Sequence, residues 1–280
     1  LNNIEYKIAR TRDDFEGLKN VCKEVFDEEV KELADDLFYR SPKNDKNIYL
    51  CAIDQEKEKY VGILCLLDTP CKYGGVNLKT AEYAIAGTLK KYQSQGINNK
   101  LTELFFQKCR ELNYQMVVIE GIPCFYRRYG FNYAIPKTEE KINLDQLNLD
   151  NNNNLKIRKA TKNDIKFLIS KCNNTANVYD VCKIKSKDII KAQISQYNCH
   201  VLKRNYYILE NQEKKLGYFT LEPGDKIQIC DISSELTFNQ YETILSYFKN
   251  KGYSTITTNL KYINKFVKYL KSKGSGGGRR

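Results

Sequence analysis

The alternation of apolar and polar residues along the chain predicts two successive sets of strands and helices. Apolar segments joined by polar turns predict two β-hairpins, one from residues 47–54 and 59–68 and one from residues 205–210 and 216–222. The intervening pattern predicts a strand, a helix, a strand and a short helix, at residues 81–89, 97–112, 115–120 and from near Pro123. Strands that alternate with helices favour a mixed α/β sheet in each half.

A weak internal repeat supports two halves of similar structure. The segment RKATKNDIKFL resembles the earlier segment ARTRDDFEGL, with Thr161 and Asp164 in the places of Thr11 and Asp14. Both segments predict a strand followed by a helix that a Thr-x-x-Asp motif caps.

The domain boundary is predicted where four consecutive asparagines, at 151–154, favour a turn over regular structure. A chain of 280 residues also exceeds the usual size of a single domain. We therefore expect two domains, at 1–150 and 151–280.

The net charge of +12 is distributed unevenly. Residues 1–150 hold 22 Lys and Arg against 24 Asp and Glu, a net charge of −2, and residues 151–280 hold 24 against 10, a net charge of +14. Many lysines of the second half fit a solvated surface. Docking of an acidic partner is the alternative, and nucleic acid is not favoured.

The cysteines predict a reduced, cytoplasmic protein. Ten cysteines lie scattered among mostly apolar neighbours without a CxxC pair, which fits buried thiols rather than disulfides or a zinc site. The one histidine, His200, follows Cys199, and we interpret this pair as structural. No metal site is expected, and the most apolar run, residues 61–67, is too short to cross a membrane.

The stretch YQSQGINNKL, at 92–101, passes from an apolar strand through a polar turn with one glycine into a predicted helix. Backbone N–H groups at a helix start, together with the helix dipole, favour an anion. The stretch is therefore a candidate phosphate-binding loop.

The order of elements, together with GTLKKYQSQGINNKL and IPCFYRRYGF, resembles the GNAT acetyltransferase superfamily over residues 4–136 and, more faintly, over 155–274. A tandem of GNAT-like domains is similar to that of Eis-like acetyltransferases without their sterol-carrier-like domain. The resemblance implies an α/β (α+β) fold in which each domain has a mixed, mostly antiparallel sheet flanked by helices, and in which the second domain is degenerate.

The resemblance also implies an acyl-CoA site. The family's loop pattern, Gln/Arg-x-x-Gly-x-Gly/Ala, is matched except at its last position by these residues: Gln93, Ser94, Gln95, Gly96, Ile97 and Asn98. Asn98 departs from the pattern, but the backbone amides survive a side-chain change. The end of the preceding strand, with Ala86, Gly87 and Thr88, is implied to pair with pantetheine.

Two catalytic residues follow from the same resemblance. In GIPCFYRRYGF, Tyr126 occupies the position of a tyrosine that protonates the departing thiolate. Glu82 occupies the position of a strand glutamate that assists loss of the ammonium proton, and Glu120 is the reserve base. Cys124 is interpreted as structural, and core packing is the alternative role for Tyr126.

The second half is expected to bind no CoA. Its strand KIQICDI continues into SSELTFNQYETIL without a glycine, and Leu270 aligns with Tyr126. Residues 263–271 predict an amphipathic helix with a basic exterior.

The sequence therefore predicts an acetyl-CoA-dependent N-acetyltransferase that acts on a primary amine of unknown type by direct attack in a ternary complex. The alternative is a non-enzymatic GNAT-fold interaction module that uses its basic second half.

Overall fold

The computed structural model describes residues 3–122, 124–135, 139–149, 154–260 and 264–273. By its contacts the chain divides into two compact units. Unit 1 consists of Leu1–Asn132, Val181–Ile184 and Tyr197–Cys199. Unit 2 consists of Tyr133–Asp180, Lys185–Gln196 and His200–Arg280. The division thus falls before the Asn-rich segment, and two short stretches of the second half belong to unit 1.

Strands and helices occur in the predicted order. The strands of the described residues are β1 (Ile4–Ile8), β2 (Ile48–Asp54), β3 (Lys59–Asp68), β4 (Cys71–Tyr73), β5 (Val76–Leu78), β6 (Thr80–Thr88), β7 (Met116–Val118), β8 (Glu140–Asn143), β9 (Lys156–Lys159), β10 (Val181–Lys183), β11 (Asn205–Glu210), β12 (Lys215–Leu221), β13 (Ile227–Ile232) and β14 (Thr255–Thr258). The α-helices are α1 (Arg12–Val25), α2 (Glu28–Tyr39), α3 (Ile97–Glu111), α4 (Ile165–Ala176), α5 (Lys187–Ser195), α6 (Phe238–Asn250) and α7 (Lys265–Ser272). Both predicted hairpins are confirmed, as β2–β3 and β11–β12.

Unit 1 contains a five-stranded sheet in the order β1-β2-β3-β6-β7, and its pairs are antiparallel except for the parallel pair β6–β7. A second, small sheet has the order β10-β4-β5. Helices α1 and α3 cover opposite faces of the large sheet. At Gly62 of β3 a Cβ would meet Ile97 and Leu101 of α3, whereas at Gly87 of β6 it would meet Val25 and the neighbouring Phe26.

Unit 2 repeats this topology. Its six-stranded sheet has the order β8-β14-β13-β12-β11-β9, and its parallel pair is β13–β14. The strands β9, β11, β12, β13 and β14 follow one another as β1, β2, β3, β6 and β7 do, and β8 is added at the edge beside β14. The predicted fold class, a mixed and mostly antiparallel sheet with flanking helices in each unit, is confirmed.

The predicted caps are present in both units. Thr11 and Asp14 form a reciprocal capping box at the start of α1, and Thr161 and Asp164 form one at the 3-10 turn that leads into α4. Each satisfies two backbone N–H groups that a helix start leaves without partners.

The cysteines are mostly buried, as predicted. Seven of the ten cysteines are buried, Cys182 and Cys230 are half-buried, and Cys124 is exposed. No helix in the described ranges has the length and apolarity that crossing a membrane requires. Within the same ranges, no group of three or more His, Cys, Asp or Glu side chains is arranged to hold a metal ion.

Candidate active site

Strand β6 is bulged in the middle. Ala84 pairs with Cys65 and Gly87 pairs with Ile63, so that two residues of β6 lie opposite one residue of β3. Ile85 in this bulge has a φ of 47°, a conformation that a β-branched residue rarely adopts. Bulges of this kind re-aim a strand and are common beside active sites.

Strands β6 and β7 part immediately before the bulge. Their parallel pairing extends only from Thr80 with Met116 to Glu82 with Val118. The edge of β6 beyond Glu82 therefore turns its backbone N–H and C=O groups toward a gap between the strands. These groups can bind an extended ligand, because unpaired strand edges favour a further partner.

The candidate phosphate loop lies between β6 and α3. Ser94 and Gly96 both have positive φ, 61° and 80°, and Gly96 is the N-cap of α3. No side chain caps this helix start. Two loop side chains bond within the loop region, Gln93 to the carbonyl of Thr88 at 3.2 Å and Gln95 to that of Lys91 at 3.0 Å. Because no carboxylate or hydroxyl caps the helix, its first N–H groups are available to an anion.

Asn98 lies in the first turn of α3, and its side chain contacts a tyrosine of the second motif. Its Nδ2 donates to Oη of Tyr129 at 3.2 Å. Its Oδ1 is buried without a hydrogen-bond partner, as is Oγ1 of Thr88 at the end of β6. Buried polar atoms without partners are uncommon in proteins and favour a polar ligand at this place.

The remaining small or apolar positions of the predicted coenzyme site also have packing roles. Gly87 is small because Val25 and Phe26 occupy the space of its missing side chain. Ile97 is buried against Gly62, and Ala86 lies within the bulge and is half-buried. Any contribution of these residues to coenzyme binding is therefore made by their backbone.

Tyr126 lies in a 3-10 helix, Phe125–Tyr129, which ends at Gly130 with a φ of 89°. Pro123, the expected helix start, lies outside the described residues. The ring of Tyr126 packs edge-on against Tyr83 of β6, with centroids 5.6 Å apart, and a Cβ at Gly121 would collide with it. Burial raises the pKa of Tyr126, and Tyr129 adds to this effect. The phenol is therefore protonated at neutral pH, as a proton donor must be.

Glu82 lies where β6 and β7 separate, and it already has partners. Its Oε2 accepts from Nζ of Lys183 at 2.9 Å and from Oγ1 of Thr69 at 3.3 Å. Glu120, the reserve base, is exposed two residues beyond the end of β7. The arrangement favours Glu82 over Glu120, because Glu82 is fixed at the gap by its strand.

Sequence reasoning missed two members of this site. Tyr83 is buried, and its Oη lies 2.8 Å from Oγ1 of Thr102 in α3. Its position next to Glu82 on an apolar strand could have indicated that it faces the helix. Lys183 could not be found, because nothing in the sequence indicates that a three-residue strand of the second half pairs with β4.

An open cavity of about 480 Å³ borders the loop on the side of β2 and β3. Three lysines line it, Lys57, Lys59 and Lys91, together with Tyr92 and Gln95. Two carboxylates, Asp54 and Glu56, line it as well, and Asp54 pairs with Lys57 at 3.1 Å, so the cavity has charges of both signs next to the loop.

Unit 2 keeps the bulge and the parting strands but not the loop. The register of β13 against β12 shifts between Asp231 and Ile229, and the pairing of β13 with β14 ends at Ile229 with Thr258. Thr237 and Gln240 form a capping box at the start of α6, so that side chains of the protein satisfy this helix start.

Strand β13 of unit 2 carries an ion pair just beyond the end of its pairing with β14. Nζ of Lys185 lies 2.6 Å from Oδ2 of Asp231, and Oη of Tyr218 donates to the same oxygen at 2.8 Å. Leu270, which aligns with Tyr126, is buried in the apolar core.

The basic surface of the C-terminal helix is partly neutralised. Helix α7 is amphipathic as predicted, with Phe266, Val267 and Leu270 buried, and Ile263 lies outside the described residues. Lys271 pairs with Glu140 at 3.4 Å, and Lys273 with Glu242 at 2.8 Å. An acidic partner at this surface stays a prediction.

Comparison with known proteins agrees with this geometry. Residues 7–134 match the family model of the acetyltransferase (GNAT) domain. The match covers most of unit 1, which is therefore similar to a GNAT acetyltransferase domain. No curated protein sequence matches the chain.

Solved structures share the fold over nearly the whole chain. A protein of Enterococcus faecalis described as a probable N-acyltransferase has 13% identity, with a TM-score of 0.70 over 91% of this chain and 65% of its own. A GCN5-related N-acetyltransferase of Anabaena variabilis has 16% identity, with a TM-score of 0.72 over 94% and 67%. The N-myristoyltransferase of Saccharomyces cerevisiae, solved with bound myristoyl-CoA, has 11% identity, with a TM-score of 0.67 over 100% and 81%.

At these identities the likeness shows a shared fold. The chain spans about two thirds of the length of the first two proteins, 65% and 67%. Because the likeness covers both units, it extends the GNAT-like fold to unit 2.

Proposed function

We propose that this protein transfers an acetyl group from acetyl-CoA to a primary amine by direct attack in a complex that holds both substrates. One observation carries the proposal. Strand β6 contains a bulge and separates from β7 after Glu82, and the start of α3, which no side chain caps, lies beside it. An open strand edge and a free helix start, side by side, suit a ligand that has amides at one end and phosphates at the other.

The chain's own residues fit acyl-CoA. Backbone N–H groups of the loop from Gln93 to Asn98 would hold the pyrophosphate, with Gly96 allowing the sharp entry into α3. The edge of β6 at 86–88 would pair with the pantetheine amides. The buried Oγ1 of Thr88 and Oδ1 of Asn98 offer partners that the protein itself leaves unused.

The chemistry needs two proton transfers. The acceptor ammonium gives a proton to the Glu82 carboxylate, directly or through water, and the neutral amine attacks the thioester carbonyl. The new C–N bond forms as the C–S bond breaks, and the Tyr126 phenol protonates the departing thiolate. Backbone N–H groups of β6 near Gly87 and Thr88 would stabilise the oxyanion that develops.

Direct attack requires no covalent intermediate on the protein. Cys124 is the exposed thiol nearest in sequence to Tyr126, and its φ of 66° is set by the start of the 3-10 helix. A Cys124→Ala variant is expected to keep its activity. Complete loss of activity with retained coenzyme binding would instead indicate an acyl-enzyme.

The test is calorimetric titration of acetyl-CoA into wild type and Gly96→Glu. A carboxylate at this position would repel phosphate and cap α3, so we expect affinity to fall about 100-fold, or about 2.8 kcal/mol. Gly75→Glu is the matched control, because Gly75 also has a positive φ, 86°, and no heavy atom within 4 Å of its added Cβ.

Each result has a clear meaning. Binding that Gly96→Glu weakens about 100-fold and Gly75→Glu preserves supports the coenzyme loop and justifies an acceptor screen. Absence of binding to wild type would overturn the proposal and favour a non-enzymatic GNAT-fold module.

A further inference from the structure

The ion pair between Lys183 and Glu82 joins two distant parts of the sequence within unit 1. Strand β10 pairs antiparallel with β4, which places Lys183 directly opposite Cys71. The amide of Ile184 donates to the carbonyl of Pro70 at 2.8 Å and extends this pairing. Nζ of Lys183 lies 2.9 Å from Oε2 of Glu82. The pairing of the backbone thus fixes the Cα of Lys183 beside Glu82, the candidate base.

The pair lies on the face of β6 opposite to α3. Tyr83, the next residue, faces α3, where its Oη meets Thr102. Because neighbouring side chains of a strand point to opposite faces, Glu82 points the other way. The coenzyme loop belongs to the start of α3, so an acceptor that approaches Glu82 arrives from the opposite side of the sheet.

The two partners differ in exposure. The side chain of Lys183 is 63% exposed, whereas that of Glu82 is 23% exposed. An exposed ammonium on a flexible stem can change partners at small cost, because exposed ion pairs contribute little stability. The carboxylate stays in place on its strand and keeps the bond from Thr69.

This pair constrains the charge of the acceptor. Oε2 of Glu82 is occupied by the ammonium of Lys183, so the acceptor amine must displace Lys183 to reach it. A second ammonium lies close by, since Lys43 pairs with Asp68 at 3.3 Å and donates to its carbonyl. Because Lys43 already has Asp68 as its partner, the ammonium that loses its partner at Glu82 is that of Lys183, and a carboxylate on the acceptor can bind it.

Resting on the function proposed above, we propose that the acceptor is a zwitterion of the amino-acid class, with Glu82 taking its ammonium and Lys183 its carboxylate. Both groups of an α-amino acid are attached to one carbon, so they reach two side chains that lie next to each other. Once the acceptor has separated Lys183 from Glu82, each of these two charged side chains pairs with a group of the acceptor. Proton transfer from the ammonium to Glu82 leaves the amine neutral for attack, and Lys183 acts as a specificity-determining residue.

The test compares each amino acid with the amine that lacks its carboxylate. Wild type is incubated with acetyl-CoA and one acceptor at a time, and mass spectrometry measures the acetylated product. The acceptor pairs are L-leucine with isopentylamine, L-tyrosine with tyramine, and L-arginine with agmatine. Each of the other proteinogenic amino acids is compared with its amide. We expect kcat/KM for an accepted amino acid to exceed that for its partner by about tenfold or more, mainly through KM, because one charge-assisted hydrogen bond is at stake. For L-lysine the product is expected to carry the acetyl group on the α-amine.

Two variants separate this role from a structural one. Lys183→Met is expected to reduce the preference for the carboxylate to about twofold or less, with the dissociation constant of acetyl-CoA unchanged. Lys72→Met removes an ammonium from the neighbouring position on β4, whose side chain points to the other face because Lys183 lies opposite Cys71. It is expected to leave the preference intact.

The possible failures are distinguishable. If acetyl-CoA binds but amines without a carboxylate react equally well, or no amino acid reacts, the zwitterion proposal is wrong and the acyltransferase proposal stands. A preference that survives Lys183→Met also overturns it. If acetyl-CoA does not bind at all, both proposals fail.

Discussion

The side-chain amide of Asn98 donates a 3.2 Å hydrogen bond to the phenol oxygen of Tyr129, and this bond connects the first turn of α3 to the 3-10 helix that carries Tyr126. The same phenol donates to Oδ1 of Asn99 at 2.6 Å. Where the GNAT loop pattern has a small residue, this chain therefore has a side chain that bonds to the 3-10 helix carrying Tyr126. The backbone amide of Asn98 is unaffected by this contact.

We expect Asn98→Ala to bind acetyl-CoA with a dissociation constant within about threefold of wild type. The substitution removes one hydrogen bond, worth about 1 kcal/mol, but also a buried oxygen without a partner, so the two effects partly offset each other. Calorimetric titration measures the affinity. Binding that becomes tenfold tighter would mean that the Asn98 side chain obstructs the coenzyme, and binding that becomes tenfold weaker would mean that its oxygen is a ligand.

Tyr126→Phe is expected to lower kcat by about 100-fold and to leave acetyl-CoA affinity unchanged, because the ring still packs on Tyr83 while the proton donor is lost. Steady-state kinetics and titration check the two parts. Tyr73→Phe, at an exposed position on β4, is the control for loss of a phenol. An unchanged kcat in Tyr126→Phe would reduce the role of Tyr126 to packing.

The pH dependence of wild type provides a second check on this residue. Burial raises the pKa of Tyr126 above its ordinary value of about 10. The phenol therefore stays protonated through neutral and mildly alkaline pH, and we expect no loss of kcat from this group below about pH 10. A fall in kcat near pH 8 that disappears in Tyr126→Phe would contradict the raised pKa.

The sequence predicted the parts of the fold that depend on local pattern. Alternating apolar positions specify β2–β3 and β11–β12, and Thr11 with Asp14 specifies the start of α1, because these features rest on neighbouring residues. The turn with one glycine that leads into α3 was predicted in the same way. The positive φ of Gly96 and the helix after it are consequences of a short stretch of sequence.

The site could be predicted only in part, because some of its contacts join distant residues. Lys183 reaches Glu82 through a strand of three residues, too short for a periodic pattern. The pairing of β8 with β14 likewise joins residues that no local signal connects, so the segment before the asparagines belongs to unit 2. The partner of Asn98 could not be predicted either, because it depends on where the 3-10 helix packs.

Acid stability is expected to depend on two equivalent carboxylates. Burial opposes the charge of Asp14, but hydrogen bonds from Arg10, Lys7, Tyr60 and Thr11 outweigh it and hold its pKa well below the usual range. At Asp164, the guanidinium of Arg158 lowers the pKa most, and Lys215 adds to the effect. Since both pKa values are lower in the folded state, the stabilisation is complete above the unfolded value of about 3.9 and is lost as pH falls below it.

Asp14→Asn and Asp164→Asn are each expected to cost about 3 kcal/mol of the free energy of unfolding at pH 7, because a buried carboxylate loses the charge with which Lys7, or Arg158 and Lys215, pair. Urea unfolding at several pH values measures this cost, and the difference from wild type should narrow below about pH 4. Asp13→Asn, at the exposed neighbouring position, should change stability by at most about 0.5 kcal/mol. A cost that does not change with pH would mean that packing, not charge, is lost.

Unit 2 is expected to bind no coenzyme, because the start of α6 is closed by Thr237 and Gln240 whereas the start of α3 has no side-chain cap. Equilibrium dialysis with acetyl-CoA should therefore give one coenzyme per chain, and much less than one for Gly96→Glu at the concentration that saturates wild type. Removing the cap with Thr237→Ala in the Gly96→Glu background should cost about 1 kcal/mol of stability without restoring binding, since no glycine turn leads into α6. Two coenzymes per wild-type chain would show that the bulge and parted strands of unit 2 suffice for binding, and that the loop is not the decisive feature of either unit.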